Sequence, residues 1–326
     1  MSKQLSSASF TVVLVGATGT LGKEVADVFL SSYRSYFPHI IATVRDSTTA
    51  EAKVLSDKGA ELVQLDQTDL VASFTKAFQG ADVVVNLLGT TPHAYRDAVG
   101  EAAIKSGVKV YFPPEFGTDH RINDFPGWDH AEWIFKGQHA QKYRELGAGK
   151  TKVIAVYTGA FLEIFLSPWL GFDTANLTYT CYGSPDVKVS TTSMADIGRA
   201  IAELALLALN PETAATVPDD VRIAGDTRSC RDVKEIVQRV RRELGVEPSG
   251  EIKLVSLDLA DFREKIRAEH LQQPKEAPLD HGKILFGEGK ADFSENNNRL
   301  VNPGQSIWKW KTVEDVVHET GGKPFC

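Results

Sequence analysis

Three glycines spaced three residues apart stand where an apolar run gives way to a helical pattern. Gly16, Gly19 and Gly22 occur in the segment GATGTLG, directly after the apolar run 10–15. Glycine permits a tight turn and close approach of the backbone to phosphates, and the following helix N-terminus offers unpaired N–H groups and a positive dipole end. The pattern predicts a site for a dinucleotide pyrophosphate, with GxxGxxG spacing and a slightly wider loop than the common GxGxxG fingerprint. A structural turn without a ligand is the alternative.

The end of the second predicted strand bears on which dinucleotide is bound. An acidic residue there receives the ribose hydroxyls of NAD, whereas this strand ends in Thr43, Val44 and Arg45. A guanidinium is always charged, and its planar fork suits a 2′-phosphate. We therefore expect NADPH or NADP+ as the cofactor, with Gln67 as a candidate for the edge of the adenine site. A solvated arginine at a strand end is the alternative.

These residues lie in a strand–turn–helix alternation that repeats along the first half of the chain. Continuous apolar runs, typical of strands buried on both faces, predict strands at 10–15, 39–45, 61–65, 83–88, 108–112 and 153–156. Helical patterns between them predict helices near 21–29, 49–58, 70–78, 94–106 and 131–146. The alternation predicts an α/β fold with a Rossmann-type, doubly wound parallel sheet.

The alternation ends after the sixth predicted strand. Residues 158–182 mix aromatic and apolar side chains with turn formers. Pro-rich or polar connectors follow at 211–220, 247–250 and 272–280. We expect an NADP-binding domain at 1–156 and a smaller C-terminal substrate-binding region at 157–326, from which strands can return to the sheet.

Composition excludes several classes of protein. The 326 residues are 42% hydrophobic and 24% charged, which is ordinary for a globular protein. A net charge of −7 disfavours nucleic acid, and the basic cluster 239–242 lies in an amphipathic stretch, 231–244, that predicts a solvated helix face. Three cysteines without CxxC spacing predict free thiols in a reducing, cytoplasmic compartment and no metal site. A polar, Ser-rich start and the lack of a long apolar run predict no membrane association.

The usual proton-transfer pair of a short-chain dehydrogenase is missing. Such enzymes carry a tyrosine and a lysine four residues apart on one helix, so that the lysine lowers the pKa of the tyrosine that moves the proton. No tyrosine in this sequence has a lysine four residues on. The corresponding region instead contains YFPPEFG at 111–117, WIFK at 133–136 and YTGAF at 157–161.

With these motifs the chain resembles the NmrA-like, isoflavone-reductase-like branch of the atypical short-chain dehydrogenases. That branch includes plant phenylcoumaran benzylic ether, pinoresinol-lariciresinol and isoflavone reductases. The likeness covers nearly the whole chain, and the tail is similar to that of fungal members. The segments that carry it are GATGTLG at 16–22, VR at 44–45, PPEFG at 113–117, Lys136, MADIG at 194–198 and LVNPGQSIWKWK at 300–311.

The resemblance implies a catalytic role for Lys136. In the reductases the segment reads PSEFG, and a catalytic lysine follows its glutamate by 21 positions; the same step from Glu115 reaches Lys136. This implies that Lys136 lies beside the nicotinamide ribose and gives a proton to the substrate or takes one from it. Pro114 replaces the family's serine, which removes a hydroxyl and an N–H from the segment. A solvated lysine on an amphipathic helix is the alternative.

The predicted site has two parts. The residues expected to contact the cofactor are Gly16, Thr18, Gly19, Thr20, Leu21, Gly22, Arg45, Gln67, Gly89, Thr90, Glu115, Lys136, Gly159 and Phe161. The residues expected to line an apolar substrate pocket are His130, Phe161, Phe165, Trp169 and Tyr182. His130 and His139 flank Lys136 and either can assist proton transfer, with a loop or surface position as the alternative. Asp196 resembles a family position that anchors a helix.

Three functions are compatible with this site. The first is NADPH-dependent reduction of a hydrophobic, aromatic or conjugated small molecule by a monomer or homodimer, with Lys136 managing the proton. The second is a redox-neutral reaction of natural-product metabolism in the same site. The third is an NmrA-like regulator that senses dinucleotide without turnover, and the presence of Lys136 argues against it. Fold alone does not decide among them.

Overall fold

The computed structural model of the chain describes residues 9–323, and its largest sheet has six parallel strands. These strands are β1 (Thr11–Val15), β2 (His39–Val44), β3 (Glu61–Gln64), β4 (Val83–Asn86), β5 (Val110–Phe112) and β6 (Lys152–Val153). Their order is β3-β2-β1-β4-β5-β6, and every neighbouring pair is parallel. This is the doubly wound order of a Rossmann fold and confirms the predicted class.

Five helices alternate with these strands. They are α1 (Thr20–Ser31), α2 (Ala50–Asp57), α3 (Leu70–Ala77), α4 (His93–Ser106) and α5 (Ala131–Leu146). Local sequence fixes several of their ends: the side chains of Thr49 and Asp69 cap α2 and α3, and Gly107 ends α4 with a φ of 69°. Val13 and Val84 of the sheet pack in one core cluster with Phe74 and Phe78, as buried parallel strands require.

The sixth strand is shorter than predicted because the chain changes partners. Ile154 still donates its N–H to Tyr111 of β5, but Ala155 donates to the carbonyl of Asp219. Residues Ala155–Tyr157 therefore form a separate strand, β7, which pairs with a later strand.

The remaining strands form small sheets of their own. They are β8 (Ala160–Phe161), β9 (Phe172–Asp173), β10 (Thr178–Tyr182), β11 (Lys188–Thr192), β12 (Asp220–Arg222), β13 (Asp226–Ser229) and β14 (Lys253–Leu257). β12 pairs with β7, and the others build the three-stranded sheets β14-β10-β9 and β13-β11-β8. Among the described residues, therefore, no strand returns to the six-stranded sheet, because these strands pair with one another.

Within residues 9–323, seven α-helices and three short 3₁₀ helices follow β8. The α-helices are α6 (Leu162–Phe165), α7 (Met194–Leu209), α8 (Cys230–Leu244), α9 (Leu259–Gln272), α10 (Leu279–Gly287), α11 (Asn298–Val301) and α12 (Val313–Thr320). A capping box of Ser229 and Asp232 begins α8, and Gly245 ends it with a φ of 61°. The expectation of a solvated basic face on α8 is wrong for Arg241. That side chain is buried and donates to the carbonyls of Pro248 and Gly321.

The chain divides into two compact units, each made of several segments. The first contains the residues up to Glu115, Phe135–Val156 and Ile197–Val221, and the second contains Phe116–Ile134, Tyr157–Asp196 and the residues from Arg222 on. The six-stranded sheet lies in the first unit. Within residues 9–323, none of the helices has both the length and the apolar character needed to cross a membrane. The same residues contain no group of three or more potential ligands arranged to hold a metal ion.

Candidate functional site

The glycine turn of the first unit is held against the end of β4. Gly16 follows β1 with a φ of 84°, a region that side chains rarely adopt. A Cβ there would stand 3.1 Å from the carbonyl carbon of Leu87, whose N–H donates to Val15. Gly89 and Thr90, the predicted contacts after β4, are exposed at this same carboxyl edge of the sheet. The first glycine is therefore required by the fold itself.

The other two glycines of the turn differ in what surrounds them. A Cβ on Gly22 would overlap the carbonyl oxygen of Gly16 and stand 2.8 Å from Cα of Ala17, so α1 can approach the turn only with glycine here. Gly19 is exposed with a φ of −76°, and a Cβ there would meet only the oxygen of Gly16, at 3.2 Å. The protein leaves space at Gly19 that a side chain would fill.

The start of α1 is suited to an anion. Gly19 is its N-cap and supplies no side-chain cap, while Thr20, exposed, and Leu21, buried, begin its first turn. Thr18, in the turn, is partly buried. An uncapped helix N-terminus beside an open glycine fits the phosphates of a dinucleotide.

Polar side chains gather beyond the ends of β2 and β3. Arg45 is exposed directly after β2, and Gln67 follows β3. Gln67 hydrogen-bonds the side chain of Tyr95 on α4; burial raises the pKa of the Tyr95 hydroxyl, while this bond and the charge of Arg45 partly lower it. Thr43 is buried at the end of β2, and its Oγ1 has no hydrogen-bond partner among the described residues. Sequence patterns did not identify Tyr95 as part of this group, because its proximity to Gln67 depends on how α4 packs beside the end of β3.

Lys136 lies at the carboxyl edge of β5. Its Nζ donates to the carbonyl oxygen of Glu115 at 2.8 Å, and the side chain is half-buried. Glu115 is 4% exposed, and its N–H donates to Pro113 at 2.8 Å. The next residue, Phe116, has a φ of 43°, a strained conformation for a non-glycine residue of the kind that clusters at functional sites. The PPEFG segment thus holds one carbonyl against the Lys136 ammonium.

A buried polar network anchors the helix that carries Lys136. His139, one turn on in α5, contacts the hydroxyl of Tyr111 through Nε2 at 2.7 Å and Asp97 through Nδ1 at 3.4 Å. Asn86 donates to the same hydroxyl at 3.2 Å. Because Nδ1 faces the carboxylate of Asp97, the neutral tautomer with its hydrogen on Nδ1 suits this site, and the Tyr111 hydroxyl can then donate to Nε2.

The expected surface position of His139 is wrong, because the side chain is 2% exposed. Burial lowers its pKa, and the hydrogen bond from His139, followed by those from Lys142 and Tyr143, holds the pKa of Asp97 well below its usual range. The imidazole is consequently neutral near pH 7 and fixes α5 to the sheet.

His130 lies in the loop before α5, as one of the two expected positions has it, but it is buried at 2% exposed rather than on the surface. It belongs to the second unit, where its Nδ1 accepts the N–H of Glu132 at 3.2 Å and its Nε2 donates to the carbonyl of Lys275 at 3.0 Å. Its ring packs 5.1 Å from that of His281 and 5.8 Å from that of His270. These three histidines line a cavity of about 260 Å³. Burial lowers the pKa of His130, and both its nitrogens are engaged by the backbone.

The other predicted pocket residues are divided among different places in the second unit. Phe165 and Tyr182 line an apolar cavity of about 380 Å³ together with Phe172 and Phe286. Trp169 is 49% exposed, and Phe161 is the half-buried N-cap of α6; neither lines this cavity. The structure therefore brings two of the five predicted residues together.

Two residues named from the family motif have structural explanations in the second unit. Gly159 has a φ of 66°, and a Cβ there would overlap the carbonyl of Ser190, so the fold requires a glycine. Asp196 is fully buried and accepts the N–H of Lys311 at 2.8 Å, in agreement with a helix-anchoring role for the first turn of α7.

Comparison with known proteins gives matches over most of the chain. The model of the NmrA-like family matches residues 8–247. An oxidoreductase of Aspergillus flavus, aprR, is 25% identical over 190 residues, which are 58% of this chain and 62% of that protein. An isoflavone reductase homolog of Zea mays, IRL, is 34% identical over 122 residues, or 35% of this chain and 38% of that one. The alignments thus span less than two thirds of these relatives.

Solved structures share the fold over nearly the full chain. The structure of AtPrR2 with NADP+ and (+)-pinoresinol has a TM-score of 0.74 at 18% identity, covering 96% of this chain and 99% of that one. Leucoanthocyanidin reductase from Vitis vinifera with NADPH also has a TM-score of 0.74, at 19% identity, covering 96% of this chain and 100% of that one. With the family model matching well over half of its residues, the chain belongs to the NmrA-like family.

Proposed function

We propose that this chain is an NADPH-dependent reductase of hydrophobic, aromatic or conjugated small molecules, in which Lys136 handles the proton. The observation that carries the proposal is the position of Lys136, whose ammonium is bonded to the Glu115 carbonyl at the same sheet edge as the glycine turn. The names of the relatives, an oxidoreductase and an isoflavone reductase homolog, support a redox reaction. Neighbouring folds solved with NADP+ or NADPH support the cofactor.

The first unit offers groups suited to each part of the cofactor. The open space at Gly19 and the uncapped start of α1 suit the pyrophosphate, which backbone N–H groups bind at a helix N-terminus. Arg45 suits the 2′-phosphate, with Gln67 and Tyr95 beside the adenosine. Three more proposed cofactor contacts lie at this edge of the sheet: Gly89, Thr90 and Glu115. Two others, Gly159 and Phe161, are proposed from the family motif alone.

We propose that Lys136 transfers a proton in the reaction and contributes little to the affinity for NADPH. Bound NADPH supplies the hydride. An ammonium held by a backbone carbonyl is fixed in direction, and a positioned proton donor typically contributes about 10²–10⁴ in rate. The buried His139 network holds α5 and hence the Lys136 backbone in place, so His139 is a positioning residue.

The cofactor assignment is tested by calorimetric titration with NADPH and NADH. We expect tighter binding of NADPH, and Arg45→Ala should weaken it by about 1.5–3 kcal/mol, the value of a charged hydrogen bond, while leaving NADH affinity unchanged. Arg267→Ala, which removes an exposed arginine on α9, is the matched control and should change neither. Equal affinity of the unmodified protein for the two dinucleotides would refute the assignment.

A further inference from the structure

Two cysteine thiols meet in the second unit. Cys181 lies in β10 and is 1% exposed, on the face of that strand that turns into the core with Tyr179. Cys230 is the first residue of α8, which packs on β10. The two thiols influence each other's ionisation, as neighbouring groups do, and both are reduced. The packing of α8 on β10 makes the two cysteines neighbours, which is the first requirement for a disulfide.

One of the two thiols is accessible from a cavity. Cys230 is half-buried and lines the 380 Å³ apolar cavity, together with Thr180 and Tyr182, the two neighbours of Cys181 in β10. A small uncharged oxidant can therefore reach the pair from the cavity. Cys181 is only 1% exposed and does not line the cavity, so larger reagents do not reach it.

The surroundings favour loss of one proton from the pair. The interaction with Cys230, together with the nearby charge of Arg231, lowers the pKa of Cys181 although burial opposes it. The same interaction and burial raise the pKa of Cys230. The pair therefore resembles a thiolate held next to its resolving thiol, the arrangement of redox-sensitive cysteines.

We propose that Cys181 and Cys230 form a reversible disulfide when the protein meets hydrogen peroxide. One thiol reduces the peroxide, taking one oxygen to become a sulfenic acid and releasing water. The second sulfur then attacks the sulfenic sulfur, the S–S bond forms, and a second water leaves. In sum, two thiols and one peroxide give one disulfide and two waters, and a dithiol reductant reverses the change.

The crosslink has a structural consequence. It joins β10 to the start of α8 and closes a loop of about 50 residues, which restricts the unfolded chain. It also fixes one wall of the apolar cavity, since Cys230, Thr180 and Tyr182 all line it. The oxidised protein should therefore unfold at a temperature several degrees above that of the reduced protein.

The experiment uses the full chain with Cys326→Ser, which leaves only the proposed pair. After peroxide treatment, intact mass should fall by two hydrogens, and peptide mapping should find the peptides of Cys181 and Cys230 joined. The unfolding temperature should rise, and dithiothreitol should reverse both changes. In the same background, Cys230→Ser and Cys181→Ser should each abolish the mass loss.

The proposal fails if peroxide leaves the mass of the Cys326→Ser protein unchanged. It also fails if the mass rises by two or three oxygens on Cys230, which would show an isolated thiol passing to sulfinic or sulfonic acid. Because peptide mapping is done on protein that keeps both cysteines, this outcome does not depend on whether the serine variants fold.

Discussion

Adding one methyl group, by changing glycine to alanine, should have different effects at Gly22 and at Gly19. Gly22 is required by the fold, whereas Gly19 is proposed to leave space for the ligand. At Gly22 the added Cβ would overlap the Gly16 oxygen and lie 2.8 and 2.9 Å from Cα and the carbonyl carbon of Ala17. These are backbone atoms, so relief requires the whole turn to move. Overpacking typically costs about 1–3 kcal/mol, and we expect Gly22→Ala to lie at the upper end of this range.

At Gly19 the same methyl meets only the Gly16 oxygen, at 3.2 Å, and the backbone already has a φ of −76°. Replacing a glycine N-cap with alanine should then cost less than about 1 kcal/mol of stability. The methyl would, however, fill the space proposed for phosphate. We expect Gly19→Ala to lose more than tenfold in NADPH affinity, which is about 1.4 kcal/mol.

Urea unfolding followed by fluorescence, with calorimetric NADPH titration, distinguishes these two effects. Gly282→Ala is the control for the same change in open space inside α10, and it should raise stability by about 0.5–1 kcal/mol. A Gly19→Ala protein that binds NADPH as tightly as the unmodified protein would show that the space at Gly19 is not the phosphate site. A Gly22→Ala protein that unfolds at the unmodified protein's urea midpoint would show that the fold does not require glycine there.

Two further predictions concern the second unit. Burial lowers the pKa of His281 from 6.5 to about 4, so as pH falls through this window the unfolded chain gains a proton that the folded chain does not. Stability present above pH 6.5 should fall by up to about 3 kcal/mol by pH 4, and His281→Leu should flatten the pH dependence of the urea midpoint. Asp119 is fully buried and pairs with Arg121 and Arg222, so Asp119→Asn should lower the free energy of unfolding by about 2–4 kcal/mol. The control Asp186→Asn, at an exposed ion pair, should lower it by less than about 1 kcal/mol. Equal urea midpoints for the two variants would contradict this prediction.

The parts of the fold that sequence predicts are those set by local pattern. Five of the six apolar runs each gave a strand of the parallel sheet, and the sixth is divided between β6 and β7. The side chains of Thr49 and Asp69 begin helices and Gly107 ends one, as their chemistry dictates. The glycine turn was predicted as a turn after β1, and the structure adds that Gly16 and Gly22 are needed by the protein itself.

Features set by distant contacts were beyond local pattern. The local sequence does not show that His130 and His139 are buried. Their hydrogen-bond partners, Lys275 for His130 and Tyr111 for His139, lie far away in the chain. Arg241 is one of several arginines in α8, and only the carbonyls of Pro248 and Gly321 distinguish it from its solvated neighbours. The discontinuous units likewise depend on which segments pack together, which a single periodic pattern does not encode.

We propose that Lys136 serves the chemical step while other residues of the first unit hold the cofactor. The most direct measurement is the rate of NADPH oxidation with a panel of conjugated aromatic substrates, together with NADPH affinity, for the unmodified protein and Lys136→Ala. Gln138→Ala, an exposed change on the same helix, is the control. We expect Lys136→Ala to bind NADPH within about tenfold of the unmodified protein yet lose about 10²–10⁴ in turnover, and Lys136→Arg to be nearly as impaired because guanidinium keeps its proton. Full turnover in the alanine variant would contradict a catalytic role and make Lys136 an ordinary helix lysine.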